Sequence, residues 1–297
     1  MTNNWGRWGN DDEIGALNLI TDQKRLAALQ VPRTGQAFSL GQDIQPAGVP
    51  MASDGIRGFH MRPMHVMLYD GGDEACGCAT RGDNYFSAED YLGIRIHGST
   101  THVDGLSHGW KDQQLYNGYS SNTINSFGAS KLGIQNATSF VTRGVLFDVA
   151  RAKGVDSVPL DHEVTVDDLK ACRVAGVTAG DAVLVRTGWR NVFYTDPAAY
   201  DQLAWPGLNL DAVQWLAEQD VVLIGADTVG LEIANPGFVD TGSRGHGVLL
   251  RDYGIYILEL LDLEELSESG KTEFLFMMAP LRITGGTGSP VNPIAIV

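Results

Sequence analysis

The chain has 297 residues, 43% of them apolar, and a mean hydropathy near zero, enough to bury one large interior or two ordinary ones. With 36 acidic against 21 basic residues its formal charge is -15, which repels phosphate backbones and anionic membranes and argues against a nucleic-acid partner. No run approaches the length of a membrane span and none follows the charged opening residues, so the expectation is a cytoplasmic protein with no membrane partner.

In chain order, Thr21 followed by Asp22 predicts a capped helix over 23–29. The Gly-rich stretch 32–66 is irregular, so residues 1–66 read as an N-terminal arm of loops and short strands. Cys76 and Cys78 fall in a Gly- and Asp-rich stretch, and with Cys172 they make an odd number, so they read as free thiols of a surface loop. Residues 94–103 read as a strand. Beyond residue 140, apolar and β-branched runs at 145–149, 182–186, 221–225, 255–258 and 274–278 predict buried strands. Between them, Thr165 opens a capping pattern over 165–173, and Asn209 caps a helix with Leu210, Val213, Leu216 and Ala217 on one face. No repeat or linker interrupts this pattern, so 1–297 is expected to form a single α/β domain with a strand-rich mixed core and few helices.

Chemistry concentrates in one short run. In an extended chain residues two apart share a face, so His102 and Asp104 project together, and an imidazole beside a carboxylate can chelate a divalent ion such as zinc or manganese. His108 follows past Gly105, where the chain can turn back, as a ligand or a proton carrier. His97 lies at odd parity to His102 and reaches the same side only through a bulge, for which Gly98 is the place. Three of the seven histidines sit in this run.

The run His97-Gly-Ser-Thr-Thr-His102-Val-Asp104-Gly-Leu-Ser-His108 resembles the H-x-G-T-H-x-D-x-P-x-H motif of the putative cyclase family, which includes bacterial kynurenine formamidases and isatin hydrolases. Trp5-Gly-Arg-Trp8-Gly, the run from Gly180 to Trp189, Gly225-Ala-Asp227-Thr228 and the closing run from Pro280 to Pro290 are similar to that family as well. The resemblance implies a swivelling β/β/α fold, a homodimer or homotetramer, and a metal-dependent hydrolase of amide, lactam or lactone bonds in a small substrate. It further implies His102 and Asp104 as metal ligands, His246 and Glu259 as the distant ligands, and His108 as the general acid and base. Two positions depart from the motif: Gly98 stands where the family has histidine, which bears on whether one ion binds or two, and Leu106 stands for its proline.

Read without the family, Glu259 closes an apolar strand and needs a partner, which a metal or an arginine such as Arg186 or Arg282 could supply. Asp227 points into a cleft or caps a turn, and Trp5, Trp8, Trp110 and Tyr116 line a pocket or pack in the interior. The Gly285-Gly-Thr-Gly-Ser-Pro run lacks a phosphate-loop lysine and reads as a tight turn, and no G-x-S-x-G elbow seats a serine nucleophile. Two other functions stay open at this point. One is a cyclase or lyase in which the metal polarises a carbonyl for enolisation, and the other is a non-catalytic binding protein on the same fold.

Overall fold

The computed structural model describes residues 3–45, 63–78, 85–200, 204–234 and 244–297, so part of the expected irregular arm, 46–62, lies outside the described residues. Nine strands form one sheet: β1 (Ala37–Ser39), β2 (His102–Asp104), β3 (Phe140–Asp148), β4 (Ala182–Arg186), β5 (Leu223–Ala226), β6 (Tyr256–Glu259), β7 (Glu273–Met278), β8 (Gly288–Pro290) and β9 (Ile294–Ile296). Their order across the sheet is β1-β9-β7-β3-β4-β5-β6-β2-β8. The central run β3-β4-β5-β6 is parallel. Both flanks are antiparallel. Parallel strands are covered on both faces, which is why 182–186 and 255–258 read as unbroken apolar runs; Val183, Leu184, Ile224 and Ile257 are fully buried.

The mixed α/β, strand-rich expectation holds, and helices are few and short. Thr21 caps Asp22–Ala28 by accepting from the Lys24 N–H, Thr165 and Asp168 form a reciprocal box at Val166–Ala171, and Asn209 caps Leu210–Ala217. The last of these buries Ala212, Val213, Leu216 and Ala217, while Leu210 of the expected face stays exposed at the first turn. No described helix is long and apolar enough to cross a membrane. Cys76, Cys78 and Cys172 are free, and the first two are exposed.

The strand expected over 94–103 is a correction. Only His102–Asp104 is extended, and 96–101 is a sequence of turns and bends. Gly98 does adopt a left-handed φ of 89°, but it turns a loop rather than bulging a strand. Tyr116 belongs to the interior, fully buried with its hydroxyl on Asp12, and Trp5 and Trp8 pack against the core.

One buried carboxylate ties the N-terminal segment to the sheet. Asp181, just before β4, accepts from Lys24 Nζ at 2.6 Å, from Arg143 of β3 at 2.5 Å and from the Thr178 N–H at 2.8 Å. Burial opposes its ionisation, but Arg143 and Lys24 outweigh that and hold its pKa below the ordinary carboxylate value. Stability from a depressed carboxylate is present above its unfolded pKa and is lost as pH falls through the folded one. Asp181→Asn should therefore cost about 3–5 kcal/mol in urea unfolding at pH 7, by leaving two cations short of their partner, and the difference should shrink on acidification below about pH 4.

Candidate metal centre

The site assembles at the edge of the sheet, where β2 crosses from β6. These strands pair antiparallel with His102 opposite Glu259 and Asp104 opposite Ile257, so the Glu259 and His102 side chains leave the same face as direct cross-strand neighbours. Period-two alternation brings Asp104 to that face too, and its Oδ1 lies 3.5 Å from His102 Nε2. On the other side β8 pairs with β2, Gly288 opposite Asp104. The glycine-rich run before it is therefore more than a turn: it lays Thr287 against the site.

His246 comes from a different part of the chain. It ends the short helix Arg244–His246 and leads into a π-helical stretch, Gly247–Tyr253, whose wider winding is a feature often found beside functional groups. Its Nε2 lies 3.2 Å from Glu259 Oε1 and 3.5 Å from Asp104 Oδ2. His102 Nε2 lies 3.3 Å from Glu259 Oε2. The four expected residues thus meet, although 157 positions separate the first from the last in sequence. The arginine alternative for Glu259 is not realised with Arg186, which is engaged with Asp148 and Glu264.

Behind each of these two imidazoles stands an acceptor. His102 Nδ1 is 2.9 Å from the Thr100 carbonyl, and His246 Nδ1 is 2.7 Å from Glu232 Oε2. Nδ1 of each ring is therefore the donor to its acceptor, and it is Nε2 that faces the carboxylates. His102 Nε2, Asp104 Oδ2 and Glu259 Oε1 are buried and make no hydrogen bond, although each lies within ion-pair distance of a neighbour. Buried polar atoms without partners are costly, and two imidazole nitrogens with two carboxylates are the donor set of zinc or manganese, so these residues fit a divalent cation.

The electrostatics point the same way. Burial opposes charge on Asp104, yet His108, His246, His97 and His102 together hold its carboxyl well below the usual range. Glu259 is also held below its ordinary value, against burial and the Asp104 charge, by His102 and His246. His246 is pushed well above the ordinary imidazole value: burial works against protonation, and Glu232, Asp104 and Glu259 outweigh it. Without a cation, protons do the work of holding these carboxylates together.

His97 and His108 flank the donor set. Their rings stack at 3.8 Å with planes 16° apart. His97 Nδ1 is 2.6 Å from Asp104 Oδ1 and its Nε2 2.9 Å from Thr287 Oγ1, so both nitrogens are engaged. It reaches Asp104 from the turn before β2, which removes the parity difficulty, and Gly288 makes room, since a Cβ there would lie 2.8 Å from His97 Cε1. His108 Nε2 is 3.9 Å from Asp104 Oδ2. Burial pushes this imidazole down to about 4, leaving it neutral at pH 7. Among the described residues, two groups of three lie close enough to share an ion, His97, His102 and Asp104, and Asp104, His108 and His246, with Glu259 beside both at ion-pair distance from His102 and His246.

A cavity of about 810 Å³ opens beside His108 and His246, walled by Trp110, Leu210 and Val248, with Lys111 and Arg244 among its polar residues. Of Trp5, Trp8, Trp110 and Tyr116, Trp110 lines this cavity. Asp227 is a turn cap: it accepts from the Thr187 hydroxyl and from the Thr187 and Gly188 N–H groups. Sequence reasoning missed Glu232 and Thr287. Glu232 did leave a signal, a lone carboxylate between the apolar residues Leu231 and Ile233.

Comparison with known proteins agrees with this geometry. A family model described as putative cyclase matches residues 40–233. Isatin hydrolase of Roseibium aggregatum is 26% identical over 227 residues, covering 72% of this chain and 77% of that protein. A crystal structure described as a novel cyclase is 36% identical, covers all of both chains and superposes with a TM-score of 0.89. An isatin hydrolase bound to the product analogue thioisatinate superposes with a TM-score of 0.64 at 21% identity, covering 93% of this chain and 99% of its own.

Proposed function

The chain belongs to the putative cyclase family, and from that premise we propose that it is a metal-dependent hydrolase opening an amide, lactam or lactone bond in a small substrate. The observation that carries this reading is the convergence of His102 Nε2, Asp104, Glu259 and His246 Nε2 with buried atoms left unpaired. Isatin hydrolases among the relatives support the choice of a C–N bond in a ring or amide.

His102, Asp104, His246 and Glu259 would hold a divalent ion, which when bound would supply an acidified water, its pKa falling from 15.7 towards about 7, and Lewis-acid polarisation of a substrate carbonyl. The protein's own work is positioning and proton transfer. His108 opens on the cavity, is neutral at pH 7, and has its ring plane fixed by the stack with His97. Its nitrogen accepts the proton of the attacking water and returns it to the departing nitrogen or oxygen, which for an amide is the step that makes the leaving group viable. His97 holds Asp104 Oδ1, so one ion is expected, of zinc or manganese; a second would have to displace that hydrogen bond and recruit His97 as a ligand. Trp110, Leu210 and Val248 offer apolar contact to a substrate body in a cavity otherwise lined by charged residues such as Lys111, Asp112, Arg244 and Arg251, and the cavity volume suits a small molecule. The mutual contacts of His102, Asp104, His246 and Glu259, formed despite Gly98, support a catalytic reading over a non-catalytic binding protein.

The cyclase description of the 36% identical structure keeps a second reading in view, in which the same ion polarises a carbonyl for enolisation. Turnover in 18O-labelled water separates the two: hydrolysis places the label in the product carboxylate or acid, and cyclisation does not.

We propose a homodimer or homotetramer. Met64–Tyr69 and Glu89–Gly93 form a two-stranded antiparallel ribbon with Met64, Val66, Leu68, Tyr91 and Leu92 all about half exposed. Such a ribbon is marginal alone in water, and its exposed apolar side chains, with Met64, Val66 and Tyr91 on one face and Leu92 on the other, suit a contact with a second copy.

His108→Ala should retain metal by elemental analysis while turnover falls about a hundredfold or more; turnover like the wild type would remove His108 from the reaction. Asp104→Ala should lose metal and activity together, and full metal occupancy in that variant would overturn the ligand set. In sedimentation velocity the wild type should run as a dimer or tetramer and Val66→Glu with Leu68→Glu should dissociate it; a monomeric wild type would contradict the assembly.

A further inference from the structure

We infer that Glu232, outside the expected ligand set, is the positioning residue of His246 and sets the affinity of the cation site. The inference rests on the metal-site reading above. Glu232 is a buried carboxylate whose Oε2 accepts the His246 Nδ1–H at 2.7 Å and whose Oε1 accepts the His246 backbone N–H at 3.3 Å. It therefore grips the residue from both its ring and its main chain.

The consequence is a choice of tautomer. His246 Nε2 faces two carboxylate oxygens, Glu259 Oε1 at 3.2 Å and Asp104 Oδ2 at 3.5 Å. Left to those neighbours alone, a neutral ring would place its proton on Nε2 and donate it to them, which would close the nitrogen to a cation. An anionic acceptor behind Nδ1 reverses that preference and leaves the Nε2 lone pair forward. His102 is set in the same way by the neutral Thr100 carbonyl at 2.9 Å, but it is an integral part of a strand and is held by the sheet. His246 sits at the end of a three-residue helix and needs the stronger anchor.

Glu232 is itself immobilised from several sides. Trp205 Nε1 donates to its carbonyl at 2.9 Å. A Cβ on Gly207 would lie 2.6 Å from its carbonyl carbon, and one on Gly245 would lie 3.1 Å from its Cδ. Both glycines thus permit close approach, one to the main chain and one to the carboxylate. Ile233 N–H donates to the Leu208 carbonyl and fixes the segment beside the start of helix Leu210–Ala217. A carboxylate built into such a seat, with its oxygens spent on one histidine, serves that histidine.

The test is zinc affinity by chelator competition on the full-length protein. Glu232→Gln keeps an acceptor for Nδ1–H and loses the charge, and should weaken binding about tenfold; Glu232→Leu loses both and should weaken it about a hundredfold. Circular dichroism and melting of the metal-free forms report any purely structural damage, which would lower the melting temperature without changing the affinity of the folded fraction. Because the effect passes through His246, adding Glu232→Leu to His246→Ala should cause no further loss. Affinity of Glu232→Leu within about twofold of wild type, or an undiminished loss on the His246→Ala background, overturns the role. A wild type that takes up neither zinc nor manganese overturns the metal-site reading, and this inference with it.

Discussion

The pairing of β2 with β6 is the constraint on which the site depends. It sets His102 directly opposite Glu259, and alternation along β2 adds Asp104 to the same face. A slip of one residue between these strands would turn His102 away from Glu259 and send the imidazole into the apolar side of the sheet. The buried strands β4, β5 and β6 resist such a slip through their apolar faces, so the interior of the sheet maintains the register of its polar edge.

That arrangement is unfavourable until something positive enters it. Asp104 and Glu259 are both nearly inaccessible to solvent, in a chain already carrying a net charge of -15. His102 and His246, both raised by these carboxylates, relieve the repulsion by holding protons, and a divalent ion would relieve it without them. Affinity for a cation is in this sense stored in the fold, and uptake of one should release protons from His246 and His102.

Local patterns revealed what depended on local geometry. His102 and Asp104 were legible because two residues in an extended chain must share a face, and strands 182–186 and 274–278 because buried strands read as apolar runs. Glu259 could be singled out as a carboxylate closing an apolar strand, but its partner required the antiparallel neighbour, which no local period specifies. His97 comes to the site by a route that parity does not describe, because parity is meaningful only within a strand and 96–101 turns instead. Leu210 misled, since the first turn of a helix can leave its apolar residue outside. Glu232 and Thr287 lie in segments without helix or strand periodicity before them, and only the folded chain brings them to His246 and His97. The family motif singled out His246 and Glu259, which spacing alone does not reach, yet by strict alignment it placed Gly98 where the neighbouring His97 now meets Asp104.

The most direct measurement is X-ray absorption and anomalous scattering at the zinc or manganese edge on crystals of the loaded protein. The account requires one anomalous peak between His102 Nε2, Asp104, His246 Nε2 and Glu259, with bond lengths of about 2.0–2.2 Å to nitrogen and oxygen. A peak seated elsewhere, or none after loading with either metal, would contradict it.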